Sequence, residues 1–299
     1  MNLDRTVIDE LRVAPGSPAR LHHRSTSATR ASWLLGDGKP RELAQAELEA
    51  FRTELEAKQE LLYASDRVAV LVILQALDAA GKDGTIKHVM SGVNPQGCTV
   101  TAFKAPTPDE LNHDFLWRCA KALPARGQIG IFNRSYFEEV LVARVHPEVI
   151  IRESLPEESG HGRALWEERF EDINSFERHL VRNGTKVVKV FLHVSKDEQR
   201  RRFLQRLEDP ERQWKFSLAD LTERTHFDEY TRAYDEMLSA TSTEWAPWYV
   251  IPADHKYMAR ALVGGILVHA IDSLDLRLPP ADAERTRALD AARASLLAE

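Results

Sequence analysis

An α/β fold with a mostly parallel sheet is predicted by two features of this sequence. Short apolar, strand-like runs alternate with helical stretches along the chain, and one run, Val68 to Leu74, leads into a Gly-Lys turn at the start of a helix. Size agrees: 299 residues with 43% hydrophobic content suffice for one α/β domain with extensions. Such sheets use right-handed crossovers and bind ligands beyond the carboxyl ends of their strands.

The elements follow in order. Residues 1–40 read as an N-terminal arm, turn-rich at Pro15-Gly16-Ser17-Pro18 and Gly36-Asp37-Gly38, with a basic stretch from Ala19 to Arg24. Glu42 to Leu62 carries Leu48, Phe51, Leu55 and Leu62 as a helical stripe. Val68 to Leu74 is a buried strand, and Gly81 to Val93 a helix. After the turn Asn94-Pro95-Gln96-Gly97 comes a strand, Cys98 to Phe103, then a helix, Asp109 to Leu123, stopped by Pro124. Gly127 to Phe132 is a third strand, ending in Asn133-Arg134-Ser135-Tyr136. Trp166 to Val181 is a helix closed by Asn183-Gly184, and Thr185 to Val194 a β-branched strand. Asp197 to Leu207 is a helix; Lys215 to Ala240 is helical and highly charged. Trp248 to Ile251 makes the last strand and Tyr257 to Leu274 an apolar helix. Beyond Pro279-Pro280, an amphipathic helix of Ala, Arg and Leu is suited to dock on the body or on another subunit. There is no internal repeat.

The stretch Leu77-Asp78-Ala79-Ala80-Gly81-Lys82-Asp83-Gly84-Thr85 holds the chemistry. A strand, a tight loop and a helix N-terminus place backbone N–H groups and the positive end of a helix dipole around a phosphate, and Lys82 adds a point charge. This is the P-loop kinase arrangement, a three-layer sandwich with a helical lid. Its phosphate-binding residues are Ala79, Ala80, Gly81, Asp83, Gly84, Thr85 and Lys87, beside Lys82 itself. The loop departs from the G-x-x-x-x-G-K-[ST] pattern. Ala76 stands where the first Gly belongs, and Asp83 where a hydroxyl would meet Mg²⁺. Asp83 serves either as that metal-side group or as a helix N-terminal acid. Asp78 within the loop calls for a metal between it and phosphate.

Phosphoryl transfer needs in-line positioning and charge neutralisation more than covalent work by side chains. Arg134, at a strand end, has a planar fork suited to phosphate oxygens; the plain alternative is a surface ion pair. Asn133 replaces the usual metal-facing acid, and Glu138 or Glu139 can supply a carboxylate or be simple solvated helix acids. Two pairs at i, i+4, Arg178 with Arg182 and Arg202 with Arg206, each share one helical face. The second pair precedes Trp214-Lys215-Phe216, in a position similar to the one where monophosphate kinases carry a mobile lid that brings cations over phosphates, with Lys215 and Arg224 the leading lid candidates.

A net charge of −6 argues against broad nucleic-acid binding, while leaving room for a polyanion in a local basic groove. The two cysteines, Cys98 and Cys119, have no metal-ligand spacing and read as core residues. No run of 18 apolar residues suggests a membrane span, and the first residues lack a signal-peptide h-region, so the expected location is the cytoplasm.

Together these motifs resemble the polyphosphate kinase 2 family, a P-loop kinase group related in fold to thymidylate kinase. The matching stretches are Asp78 to Lys87, Phe132-Asn-Arg-Ser-Tyr136, Leu192-His-Val-Ser195 and Trp214-Lys-Phe-Ser217. Thr241-Ser-Thr243, Ala246-Pro-Trp248 and Ile251-Pro-Ala-Asp254 complete a set in the family's order over about residues 40 to 275. The resemblance implies phosphoryl transfer between inorganic polyphosphate and a nucleotide with Mg²⁺, Mn²⁺ being an alternative ion. It also makes the Asp-Ala-Ala-Gly-Lys loop a family form. The stretch around Asn133 resembles the subgroup that accepts AMP as well as ADP. By the same resemblance Asp78 holds metal, Lys82 binds the transferring phosphate and Arg134 stabilises transition-state charge. Asn133 and Glu138 then lie by the nucleotide, Glu138 also near metal, while basic residues on neighbouring helices line a polyphosphate channel. Expected partners are polyphosphate, adenine or guanine nucleotides, and further copies of the chain as a homodimer or homotetramer. The implied division is an arm (1–40), a kinase domain (41–275) with a lid at about 208–244, and a helical tail (276–299). Competing readings are an ATP-dependent nucleoside monophosphate kinase and a non-catalytic polyphosphate-binding protein.

Overall fold

The computed structural model describes residues 3–28, 38–156, 159, 161–279 and 283–299. The expected turn residues Gly36 and Asp37, and Pro280, lie outside them. The chain runs α1 (Arg5–Leu11), α2 (Pro40–Ser65), β1 (Ala69–Ala76), α3 (Lys82–Val89) and β2 (Cys98–Ala102). Then come α4 (Pro108–Leu111), α5 (Trp117–Lys121), β3 (Ile129–Asn133), α6 (Glu138–Val145), α7 (Glu148–Arg152), α8 (Arg163–Arg182) and β4 (Thr185–His193). The last elements are α9 (Lys196–Glu208), α10 (Leu218–Thr225), α11 (Phe227–Thr241), β5 (Trp248–Pro252), α12 (Lys256–Asp272) and α13 (Ala283–Leu297).

The five strands among the described residues form one sheet, order β2-β3-β1-β4-β5, with every pairing between these strands parallel. β1 is central and buried along its whole length, which explains its unbroken apolar run. Val70, Val72 and Leu74 face a layer containing Leu55 and Leu62 of α2, Val89 of α3, and Leu262 and Ile266 of α12. Leu71 and Ile73 face the opposite layer, with Val140 of α6, Ile173 of α8 and Met237 of α11. The result is a three-layer sandwich. Connections leave β1 toward β2 and leave β3 toward β4, so the crevice between β1 and β3 is the switch point where a ligand belongs.

Several expected elements are re-cut. The helix expected over Asp109 to Leu123 is two short helices, because Asn112 ends the first and Asp114 accepts from the Leu116 amide, offering the backbone a local alternative. The stretch Lys215 to Ala240 is split into α10 and α11 at His226, with Ser217 capping α10. The helix after the phosphate loop ends at Val89 rather than Val93. Helices α1 and α7 match no predicted element.

The described part of the N-terminal arm is packed down. Leu21 is buried, its amide donates to Asp235 Oδ1 at 2.6 Å, and Arg24 donates to the carbonyls of Ala19, Glu10, Leu11 and Arg12. Arg24 therefore serves the arm's own backbone. Cys119 is fully buried, while Cys98 is only partly so. Helix α13 has no buried residue, so its leucines Leu289, Leu296 and Leu297 are exposed in the single chain. Among the described residues, no helix is long and apolar enough to cross a membrane.

Candidate active site

The loop after β1 depends on two residues with positive φ, Ala79 at 61° and Gly81 at 111°. Glycine adopts such a conformation freely; for Ala79 it costs on the order of 1 kcal/mol and must be held by its surroundings. The holding group is Arg202. Its Nη1 donates to Ala79 O at 3.0 Å and Ala80 O at 2.5 Å, and its Nη2 to Ala253 O at 2.5 Å and Asp254 O at 3.2 Å. Its Nε donates to Glu198 Oε1 at 2.7 Å. Nearby, Gln199 Nε2 donates to Asp78 O at 3.0 Å. Arg202 is 3% exposed and braces the loop from behind, which corrects its expected role as a phosphate contact.

At the mouth of the loop, Gly81 offers no side-chain cap to the first-turn amides of α3, leaving the helix start available to an anion. Lys82 begins the helix, is buried, and donates to Ala76 O at 2.7 Å. Burial, helped by the Arg134 charge, pushes its ammonium down to about 8, while Asp78, Glu138 and Asp83 pull it back up. Thr85 is buried one turn on, and Lys87 is exposed.

The turn after β3 brings the second set of charges. Arg134 has φ 66°, and its amide donates to Leu74 O at 3.1 Å, tying the turn to β1. Its Nη2 donates to Asp78 Oδ1 at 2.6 Å and its Nη1 to Glu138 Oε2 at 2.7 Å. The two carboxylates, Glu138 first, raise the guanidinium pKa further above its already high ordinary value. Asn133 Nδ2 donates to Asp83 Oδ1 at 2.8 Å. Asp83 is thus in the first helical turn and engaged by an amide.

A cavity of about 950 Å³ opens from this charge cluster. Asp78, Arg134 and Glu138 line one part, Lys215 and Arg224 the lid side, and Phe103, Pro106 and Leu141 give apolar wall. Arg224 Nη1 donates to Lys196 O at 2.8 Å and Gln199 Oε1 at 2.6 Å, joining α10 to α9 beside the loop. Arg206 lies 3.6 Å from Asp220, another lining residue. At the cavity's edge Arg118 donates to Glu139 Oε1 at 2.9 Å and to Lys104 O at 2.8 Å. Burial raises Glu139 to about 7 against the pull of Arg118.

The structure does not bring Arg178 and Arg182 to this cavity. Helix α8 leads into the N-terminal end of β4, the end of the sheet opposite the loop, and Arg178 lies over the Trp245 ring at 5.2 Å in a separate groove. One cation absent from the predicted site residues, Arg260, reaches the start of α3, and Lys256 stands one turn before it on α12. A methyl built on Gly84 would sit 3.4 Å from Arg260 Nη2, and Lys256 shares the first turns of α12. Neither Lys256 nor Arg260 forms an ion pair with a described residue. Burial, followed by neighbouring Arg202, Arg212 and Arg260, pushes Lys256 down to about 8. Their i, i+4 spacing at the head of an otherwise apolar helix was the available signal.

Asp78 and Glu138 offer hard oxygen donors to a divalent cation that would share its remaining positions with phosphate and water, the usual pattern for Mg²⁺. No group of three or more His, Cys, Asp or Glu suited to a metal occurs among the described residues. A two-carboxylate set completed by substrate fits that ion.

Residues 39–279 match the model of the family described as polyphosphate kinase 2. An ADP-polyphosphate phosphotransferase of Rhodopseudomonas palustris is 52% identical over 252 residues, spanning 83% of this chain and 87% of that protein. An AMP/ADP-polyphosphate phosphotransferase of Meiothermus ruber is 46% identical over 238 residues, 79% of this chain and 85% of that protein. The crystal structure of polyphosphate kinase 2 from Arthrobacter aurescens TC1 superposes with a TM-score of 0.84 at 39% identity, covering 98% of this chain and 99% of the other.

Proposed function

The chain belongs to the polyphosphate kinase 2 family, and from that premise we propose that it transfers a phosphoryl group from inorganic polyphosphate to ADP, and to AMP as a second acceptor. The observation that carries the reading is the convergence of Lys82, Asp78, Arg134 and Glu138 at the carboxyl ends of β1 and β3.

The roles follow from the chemistry. Open amides at the start of α3 and the Lys82 ammonium bind phosphate oxygens, and the donation from Lys82 to Ala76 O is exchanged for a phosphate contact. Arg134, fixed by Asp78 and Glu138, lies ready for charge that develops on the transferring group. Asp78 and Glu138 would hold Mg²⁺ or Mn²⁺, which would supply neutralisation of phosphate charge when bound. Asn133 donates to and holds Asp83, and Lys215 and Arg224 act from the lid, taken as about residues 208–244 of a kinase unit spanning 41–275. Apolar walls at Phe103, Pro106 and Leu141 suit a nucleobase, adenine with guanine as the alternative. Arg260 and Lys256 suit the run of a chain of phosphates past the loop. Self-association as a homodimer or homotetramer belongs to the same reading, supported by the uncovered leucines of α13.

The test supplies ADP, long-chain polyphosphate and Mg²⁺ and measures ATP. ATP formation is expected. Absence of ATP, with efficient transfer from ATP to a nucleoside monophosphate instead, would overturn the reading.

A further inference from the structure

Lys189 sits where the sheet calls for an apolar residue. It lies in β4 opposite Ile73 of β1 and Trp248 of β5, in the layer of Val187 and Phe191, with no exposed surface. Its Nζ donates to Glu177 Oε2 of α8 and to Thr241 O at the end of α11, both at 2.6 Å. The ammonium also lies 5.5 and 5.3 Å from the ring centroids of Phe137 and Trp248. The other carboxylate oxygen, Glu177 Oε1, accepts from Tyr136 OH at 2.9 Å. Tyr136 and Glu177 are also wholly buried.

Stability is a poor reason to keep such a pair. Replacing a buried ion pair by apolar residues of similar volume is often neutral or stabilising. Burial here pushes Glu177 up and Lys189 down, each opposed by the other's charge. What the network does fix is geometry. It joins β4, α8 and the end of α11 to the turn after β3, and Tyr136 enters that turn two residues from Arg134 and two from Glu138. The same turn is held from β1 by Gln75 Nε2, which donates to Ser135 Oγ at 3.3 Å, and Ser135 Oγ also accepts from the Phe137 amide.

We propose that Tyr136, Glu177 and Lys189 are positioning residues for phosphoryl transfer: a buried hydroxyl–carboxylate–ammonium network that sets the turn presenting Arg134 and Glu138 to the reacting group. The inference rests on the phosphotransferase reading above. Arg134 is held on the cleft side by carboxylates that must also serve metal and nucleotide. A fixed anchor behind the turn keeps its left-handed backbone in place while those contacts exchange.

The experiment compares wild type, Tyr136→Phe and the triple variant Tyr136→Phe/Glu177→Leu/Lys189→Met, each with polyphosphate and, separately, ATP as donor. Unfolding temperature is measured alongside. The triple variant leaves none of the three polar groups buried but takes the donor from the buried Thr241 carbonyl, so it is expected to unfold within a few degrees of the wild-type temperature. Both variants are expected to lose about tenfold in kcat with KM for donor and acceptor within twofold. A folded variant keeping kcat within twofold of wild type overturns the proposal. If the triple variant does not fold, Tyr136→Phe decides alone. A wild type active only with ATP overturns the polyphosphate reading but still scores the variants; a wild type inactive with both donors overturns both.

Discussion

Arg134 Nη2 lies 2.6 Å from Asp78 Oδ1, so the turn after β3 and the loop after β1 are joined by one charge-assisted bond across the switch point of the sheet. Because the same guanidinium also engages Glu138, it separates two carboxylates that would otherwise repel. Arg134→Ala removes this cation from the transferring group and is expected to lower kcat by about 10²–10³. It leaves both carboxylates free, so the Mg²⁺ concentration for half-maximal activity should not rise. A steady-state Mg²⁺ titration of the variant checks both; near wild-type kcat would remove Arg134 from the reaction.

Lys82→Ala should abolish turnover without unfolding the protein. The ammonium is buried at a cost and is bonded in this state only to the Ala76 carbonyl, so removing it relieves desolvation as it loses one hydrogen bond. Thermal unfolding within a few degrees of wild type, with ATP formation down at least about 10³-fold, is the expected pair of results. Substantial residual activity would show that the loop binds phosphate without this lysine.

The same lysine predicts a pH effect. Its folded pKa of about 8 lies below the ordinary lysine value of 10.5, so the charged form is the disfavoured one. The free enzyme therefore loses this proton as pH rises through about 8, and kcat/KM should fall on that alkaline limb. The stability sign is opposite. A depressed ammonium pKa costs stability fully at pH below about 8, and the cost fades between there and 10.5. Kinetics and denaturation across pH 7–10 on wild type and Lys82→Ala separate the two, since the variant should lack the stability change.

Arg202 and Arg206 share a helical face but should behave differently. Arg202→Leu removes four donations to backbone carbonyls behind the loop and strands Glu198 near one fewer cation. A loss of about 3 kcal/mol in stability is expected together with loss of activity. Arg206 is partly exposed and only 3.6 Å from Asp220, so Arg206→Leu should change stability by under about 1 kcal/mol. Urea denaturation of both variants is the check; equal stability losses would refute the brace.

These differences mark what a sequence can carry. The Lys82 loop was legible because its residues are contiguous and its chemistry is mostly backbone. Spacing placed Arg202 on a helix face, but which side of the loop that face meets is set by how α9 packs on Ala253 and Asp254. Arg178 and Arg182 lie away from the cavity for a reason that topology carries, since a helix that leads into a parallel strand ends away from the strand's carboxyl end. Glu177 and Lys189 were invisible as a pair because twelve residues and a change of element separate them. The break between α4 and α5 depended on the Asp114 side chain, a local competition that apolar periodicity does not register.

The path of the polyanion depends on local charge. The chain carries a net charge of −6, so attraction to polyphosphate must come from a small set of nearby cations rather than from the protein's overall field. Arg260 lies over the first turn of α3, and Lys256 stands one turn before it; neither is neutralised by an ion pair with a described residue. A bound polyanion releases counterions for each phosphate neutralised, so the polyphosphate KM should rise steeply and log-linearly with KCl concentration. Arg260→Ala should raise that KM at low salt and reduce the slope by about one, leaving the KM for ADP within twofold. Initial rates at several KCl concentrations, with each substrate varied in turn, give both slopes. An unchanged polyphosphate slope in Arg260→Ala would route the chain elsewhere, toward Lys215 and Arg224 on the lid.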